Sequence, residues 1–192
     1  MGILLKCIKI KLFLTSVLEK PLINTPKRIA FGFSLSSLPL LERLKASNHV
    51  DQIFISDRSD FLFEEKASGL IQSMPKAFLK DHWQKNNQLI FIGSIGAVVR
   101  LISPFVSSKE NDPAILVMDS KAENIIPLLG GHKQGGDRFA NELSAALEAE
   151  AIFTSDSFIE RKISLDCFGK GWGWERGGDN VDWRNLMIRQ AR

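Results

Sequence analysis

The chain has 192 residues, of which 44% are hydrophobic and 24% are charged, proportions typical of a folded globular protein and not of a disordered one. The 25 basic and 22 acidic residues leave a formal net charge of only +3. Because the basic residues do not cluster along one element, we expect no nucleic-acid partner. The two cysteines, Cys7 and Cys167, are far apart in the sequence, which argues against a disulfide framework and favours a cytoplasmic location.

Residues 1–26 are predicted to be an N-terminal extension of unknown role. Their apolar run is interrupted by Lys6, Lys9 and Lys11. It therefore falls short of the ~18 uninterrupted apolar residues that a membrane-spanning helix needs. It also lacks the small-residue cleavage site of a secretory signal. We expect no membrane partner.

Short apolar runs alternate with helical patterns through the middle of the chain. This alternation predicts an α/β domain over residues 27–155, with a three-layer, Rossmann-like, mostly parallel sheet and helices on both faces. The character of the sequence changes near residue 156, so residues 156–192 are predicted to be a separate partial region. The predicted strands are 27–34, 50–56, 88–93, 112–119, 124–129 and 151–155, and the predicted helices are 38–46, 94–106 and a helix after residue 136.

Three details of this reading depend on proline or on an apolar stripe. Residues 57–68 have no clear period and are predicted to be a loop, and residues 69–83 have a helical pattern that Pro75 weakens. Pro127 places the strand 124–129 at a sheet edge or ends it early. The spacing of five apolar residues predicts one buried helical stripe, namely Ile95, Val98, Val99, Ile102 and Val106.

A glycine-rich segment, residues 130–137, joins the fifth predicted strand to a helix. Glycine lets a ligand approach the backbone closely, and the N–H groups at a helix start favour an anion. His132 can transfer a proton near neutral pH, whereas Asp137 could cap the helix instead. A tight turn with no ligand explains the same pattern equally well. The candidates are His132 as the catalytic residue and Gly130, Gly131, Gly135, Gly136 and Asp137 as substrate-binding residues.

A second strand-to-helix junction contains the candidate substrate-binding residues Gly93, Ser94 and Gly96. Ser94 could cap the following helix or contact a carboxylate, and capping is the simpler role when the residue is judged alone. The carboxyl edge of a parallel sheet is where ligands usually bind. We therefore predict that both junctions lie at that edge and that Ser94 and His132 line one hollow.

Other kinds of site have little support in the sequence. His49 and His82 lie in polar contexts and are predicted to be surface residues, and no pair of histidines has metal-ligand spacing. We expect no metal site. There is no GxSxG segment for a serine hydrolase, and no GK[ST] or GxGxxG segment for a nucleotide.

Six short elements follow one another between about residues 88 and 183: 91–105, 111–119, 126–132, 135–137, 154–156 and 171–183. Their order and separation resemble those of the CbiG family of cobalamin biosynthesis proteins, from its N-terminal domain into the start of its middle region. Lys133 and Gln134 depart from the family pattern, in which a glycine is usual in this part of the loop. Because the family chain usually continues into a further domain, we expect residues 156–192 to be a truncated middle region.

The resemblance implies a role in the anaerobic route to cobalamin. The implied reaction is the hydrolytic opening of the δ-lactone of cobalt-precorrin-5A, with release of acetaldehyde, to give cobalt-precorrin-5B. The substrate is an anionic corrinoid that carries its own cobalt, so no cofactor is expected. The alternative is a non-catalytic corrinoid-binding or assembly module of a larger protein, for example a fusion with a precorrin methyltransferase. A homodimer and a methyltransferase partner are further expectations.

Overall fold

The computed structural model describes residues 26–57 and 69–154. Within these two ranges the chain forms one seven-stranded sheet and four α-helices. The strands are β1 (Arg28–Gly32), β2 (Gln52–Ser56), β3 (Leu70–Ser73), β4 (Gln88–Ile92), β5 (Ala114–Met118), β6 (Asn124–Leu129) and β7 (Glu150–Ala151). The helices are α1 (Leu38–Ala46), α2 (Pro75–His82), α3 (Ile95–Ile102) and α4 (Gly136–Leu147), and a 3-10 turn (Leu35–Ser37) precedes α1.

The strand order across the sheet is β3-β2-β1-β4-β5-β6-β7. Strands β1 to β5 pair in parallel, and β6 and β7 are parallel to each other, but β6 pairs antiparallel with β5. The prediction of a mostly parallel α/β sheet is therefore confirmed. The chain moves outward from β1 to β3 and then returns to the other side of β1, so a topological switch point lies between β1 and β4.

The sheet separates two hydrophobic cores. One core lies under α1 and α4 and contains Leu41, Leu44, Phe139 and Leu143. The other lies under α2 and α3 and is rich in phenylalanine, including Phe31. All five residues of β4 and of β5 are buried, as expected for parallel strands that are covered on both faces. The predicted three-layer arrangement is thus observed.

The connection between β5 and β6 reverses the direction of the chain. Only residues 119–123 join the two strands, whereas a parallel crossover takes a dozen or more residues. The carboxylate of Asp119 accepts backbone hydrogen bonds from Lys121 (2.8 Å), Glu123 (3.2 Å) and Asn124 (2.7 Å). Partial burial opposes ionisation of Asp119, but these N–H donors outweigh it and hold its pKa below the usual value. The ionised carboxylate therefore stabilises a tight hairpin.

The two segments that contain a proline are clarified by the structure. Residues 69–83 are a short strand followed by α2, and the prediction of a single helix was wrong. Pro75 does not weaken α2, because it occupies the first turn, where its missing N–H needs no partner. The predicted edge position of this strand was wrong, because β7 pairs beyond β6; Pro127 is tolerated since it lies past the two residues that pair with β7.

The predicted stripe on the helix after β4 is only partly buried. Helix α3 ends at Ile102, four residues earlier than predicted, and of the five stripe residues only Val98 and Ile102 are buried. Ile95, Val99 and Val106 are 41–45% exposed. Leu101, which is not a stripe residue, packs against the same core, so the covered face of the helix differs from the predicted stripe.

Some predictions lie outside the described residues. These are the N-terminal extension up to residue 25, most of the loop 57–68, and the partial region 156–192. Among residues 26–57 and 69–154, no helix combines the length and hydrophobicity needed to cross a bilayer.

Gly130 gives a test of the hairpin. Its φ is +67°, and a Cβ there would lie 2.9 Å from both the Ala114 Cα and the Pro113 carbonyl oxygen. Gly69 has a φ of +97° but open space around a Cβ. Gly69→Ala should cost about 1–2 kcal/mol of backbone strain. Gly130→Ala should cost about 1–3 kcal/mol more, because backbone must move. Urea unfolding measures both; equal losses would contradict the predicted packing of Gly130 against β5.

Candidate functional site

The two glycine-bearing turns lie at opposite edges of the sheet. Gly93 donates its N–H to the carbonyl of Met118, at the carboxyl end of β5 (2.9 Å). Gly130 instead packs on Ala114, at the amino end of the same strand. The prediction that Ser94 and His132 line one hollow was therefore wrong. The physical reason is the β5–β6 hairpin, since the carboxyl end of an antiparallel strand lies where its parallel neighbours begin.

A hollow of about 450 Å³ opens at the carboxyl edge, beside the switch point between β1 and β4. We call it the switch-point hollow. Ser94 is the N-cap of α3, and its hydroxyl accepts a hydrogen bond from the N–H of Ala97 (3.4 Å), so the predicted capping role is confirmed. The lining residues are Phe33, Ser34, Ser36, Ser37, Ile92, Gly93, Ser94, Ala97, Asp119 and Ser120.

Sequence reasoning found only one side of this hollow. The other side is a serine-rich segment after β1, Ser34–Ser37, which was not singled out. Its position in the sequence could have indicated it, because the loop after the first strand of a doubly wound sheet normally faces the switch point. Gly93 has a packing role there, since a Cβ would lie 2.7 Å from the Phe33 ring. Gly96 accepts a hydrogen bond from the Arg100 guanidinium through its carbonyl (2.9 Å).

The turn that carries His132, residues 130–137, is closed by its own backbone. We call it the His132 loop. The carbonyl of Gly130 accepts hydrogen bonds from the N–H groups of Gln134 and Gly136 (both 3.2 Å). The Gly136 amide is therefore engaged within the loop, which contradicts its predicted use in binding an anion. Gly135, at φ +75°, is the N-cap of α4.

His132 and Asp137 form a pair inside this loop. The Nδ1 atom of His132 lies 3.4 Å from the Oδ2 atom of Asp137, which is only 9% exposed. Gly131 makes room for the carboxylate, because a Cβ there would lie 2.4 Å from Asp137 Oδ1. The prediction that Asp137 caps α4 with its side chain was wrong, since Gly135 is the N-cap and no side chain caps it.

Burial is the main influence on the pKa of Asp137. Desolvation raises its pKa above the usual value, and the neighbouring His132 opposes this rise. A buried carboxylate that contacts one ring nitrogen of a histidine orients the ring. The pair therefore has the arrangement of a histidine acid–base group with its orienting carboxylate.

A second hollow, of about 350 Å³, lies next to the His132 loop at the amino edge. We call it the amino-edge hollow. Lys133 of the loop bonds Glu110 (2.8 Å) and thereby lowers the pKa of that carboxyl group. The lining residues are Val106, Ser107, Ser108, Lys109, Asp112, Leu129 and Gly130.

The other histidines differ in their surroundings. His82 was predicted to be a surface residue, but it is half-buried against the rings of Phe54 and Phe78, and this burial lowers its pKa. The Nδ1 atom of His49 lies within hydrogen-bond distance of the Ser47 hydroxyl (2.9 Å), just after the end of α1. In the part of the chain that the structure describes, no three His, Cys, Asp or Glu residues lie together in a way that could hold a metal ion.

Comparison with protein families identifies the segment that contains both turns. Residues 77–157 match the family described as cobalamin synthesis G N-terminal. This match and the curated relatives support assigning the matched segment to the CbiG family. The resemblance inferred from the six sequence elements is thus confirmed.

Two curated CbiG relatives are cobalt-precorrin-5A hydrolases. The protein from Priestia megaterium is 38% identical over 120 residues, which are 62% of this chain and 32% of the relative. The protein from Salmonella typhimurium is 36% identical over 78 residues, which are 41% of this chain and 22% of the relative. The chain thus spans a third or less of the length of these relatives.

The CbiG fold is also found among solved structures. A protein from Sulfolobus solfataricus, assigned as a cobalamin biosynthesis protein G homologue, superposes with a TM-score of 0.51 at 22% identity. The match covers 86% of this chain and 45% of that protein. At this identity the likeness supports the α/β fold.

The raised pKa of Asp137 predicts how stability depends on pH. At a pH between the unfolded value, about 3.9, and the raised folded value, the folded protein holds a proton that the unfolded chain has lost. The stability from this proton is fully present below the unfolded pKa and is lost as pH rises through the folded pKa. Asparagine does not titrate, so Asp137→Asn should remove this pH dependence. The difference in the free energy of unfolding, wild type minus Asp137→Asn, should therefore fall as the pH rises.

Asp119 provides the control of opposite sign. Its folded pKa is lowered, so its stability is present above the unfolded pKa and is lost as pH falls. The same difference for Asp119→Asn should therefore rise with pH. Urea titrations between pH 3 and 8 measure both differences. A flat Asp137→Asn difference would mean that burial does not perturb this carboxyl group.

Proposed function

We propose that the chain acts in cobalamin biosynthesis, in the cytoplasm, as the N-terminal part of a cobalt-precorrin-5A hydrolase. In this proposal water opens the δ-lactone of cobalt-precorrin-5A, and acetaldehyde is released to give cobalt-precorrin-5B. Two relatives that bear this name, with 36–38% identity over the matched residues, support the proposal. A homodimer and a methyltransferase partner stay predictions.

The single observation that carries the proposed chemistry is the His132–Asp137 pair. Nδ1 of His132 lies 3.4 Å from Asp137 Oδ2, and in this proposal Nε2 exchanges a proton with water. As a base it would take a proton from water as the oxygen attacks the lactone carbonyl. As an acid it would return that proton to the departing ring oxygen. General acid–base catalysis of this kind typically contributes about 10²–10⁴-fold in rate.

The amino-edge hollow fits one edge of the substrate and not the whole ring. At about 350 Å³ it is far smaller than a corrinoid macrocycle, so the ring would lie outside with the lactone side inserted. Lys109, which lines the hollow, would pair with a substrate carboxylate. The backbone amides of Gly130, Gly131 and Gly135 would stabilise the oxyanion. The cobalt enters with the substrate, so the proposal needs no resident cofactor.

Replacing His132 tests the proposal directly. In His132→Ala, acetaldehyde release from cobalt-precorrin-5A should fall about 10²–10⁴-fold, because no base remains to activate water. Corrinoid binding, followed by the absorption of the ring, should change much less. Acetaldehyde is measured in single-turnover reactions of the full chain.

His49→Ala is the matched control, because His49 lies at the end of α1, away from the His132 loop. Its turnover should equal that of the wild type. Unchanged turnover in His132→Ala would remove His132 from the mechanism.

One observation favours the second candidate function, a corrinoid-binding module without chemistry. The larger, serine-rich hollow lies at the other edge of the sheet, and its one carboxylate, Asp119, is engaged by backbone N–H groups of the hairpin. A ligand held there would meet hydroxyls and helix N–H groups but no available acid–base group. Ring binding by the wild type without any acetaldehyde release would favour this module.

A further inference from the structure

Gln88, the first residue of β4, connects the His132 loop to the sheet. Its side chain is almost completely buried, with 4% exposure for the residue. The amide Nε2 donates to the carbonyl oxygen of Gln134, in the middle of the loop, at 2.9 Å. The amide Oε1 accepts from the Arg28 Nε atom at 3.1 Å. One amide therefore joins the starts of two adjacent strands to the loop that carries His132.

The connection continues to helix α4 on the other side of the loop. The Arg28 guanidinium bonds the carboxylate of Glu142 at 2.5 Å and lies over the Phe139 ring, 4.0 Å from its centre. These contacts lower the pKa of Glu142 against the effect of its partial burial. Arg28 is thus held by α4, and it in turn orients the Gln88 amide.

The loop fits closely around this amide. A Cβ on Gly135 would lie 3.1 Å from Gln88 Nε2, so the glycine lets the loop approach the amide. Gly135 also has the positive φ that ends the loop and starts α4. Two residues further along, Asp137 contacts His132. A shift of the Gln134 carbonyl would therefore move the start of α4 and the carboxylate that orients the histidine.

We propose that Gln88 is a positioning residue that sets the geometry of the His132–Asp137 pair through its hydrogen bond to Gln134. It acts through the loop and does not touch the substrate. A side chain that both donates and accepts is required, because one end faces a carbonyl and the other faces a guanidinium. The catalytic consequence rests on the proposed function, whereas the positioning itself does not.

Hydrogen exchange tests the positioning without any substrate. The reporters are the N–H groups of Gln134, Gly136 and Asp137, which donate to carbonyls inside the loop. In Gln88→Met the loop loses its anchor, and protection of these amides should fall about fivefold to tenfold, as expected for one lost hydrogen bond. Gln52→Met is the matched control, because Gln52 is the first residue of β2, as Gln88 is of β4. It should leave loop protection unchanged.

Gln88→Glu provides a rescue that depends on pH. At neutral pH the new carboxylate can still bond Arg28 but cannot donate to the Gln134 carbonyl, so protection should be low. When the pH falls far enough to protonate the carboxyl group, its O–H can donate, and protection should return towards that of the wild type. A merely space-filling role for Gln88 would show no such recovery.

Turnover then tests the consequence for His132. Gln88→Met should lower kcat for acetaldehyde release about tenfold and leave KM within about twofold, since the histidine is displaced but substrate contacts are kept. Loop protection like the wild type in both Gln88 variants would overturn the inference. Altered protection with normal kcat would also overturn the link to His132. If the wild type itself releases no acetaldehyde, the proposed function fails, and the exchange results still decide the role of Gln88.

Discussion

The hairpin between β5 and β6 is the constraint on which the rest of the structure depends. Its five-residue connection is closed by the Asp119 carboxylate, which accepts hydrogen bonds from three backbone N–H groups. This reversal sends β6 back along β5 and delivers its end to the amino edge of the parallel strands. The position of the His132 loop follows directly, and so does its separation from Ser94.

Two concave regions result, and they differ in chemistry. The switch-point hollow is rich in hydroxyl groups and lies beside the N-terminus of α3, an arrangement suited to recognising anionic groups. The amino-edge hollow is smaller, and Gly130 of the His132 loop lines it. A large ring held at one edge could not reach the other through a sheet whose central strands are fully buried.

The His132 loop is built at the expense of stability. Gly130 and Gly135 lose more backbone freedom on folding than other residues would, and Asp137 is buried although burial disfavours its ionised form. Such features are expected where a protein needs a defined arrangement of reactive groups. The contacts that offset them come from outside the loop: Gln88 anchors its middle, and Glu110 pairs with its lysine.

Periodicity and turn chemistry in the sequence were enough to determine the fold class, five of the strands approximately, and the capping role of Ser94. They work because burial on both sheet faces and helix capping leave local patterns that do not depend on distant residues. Pairing direction was decided by the tertiary structure, although the short connection after Asp119 was a readable signal of a hairpin. The His132–Asp137 contact and the reach of Gln88 to Gln134 could not be read from the chain, because they depend on how separate elements approach one another in three dimensions.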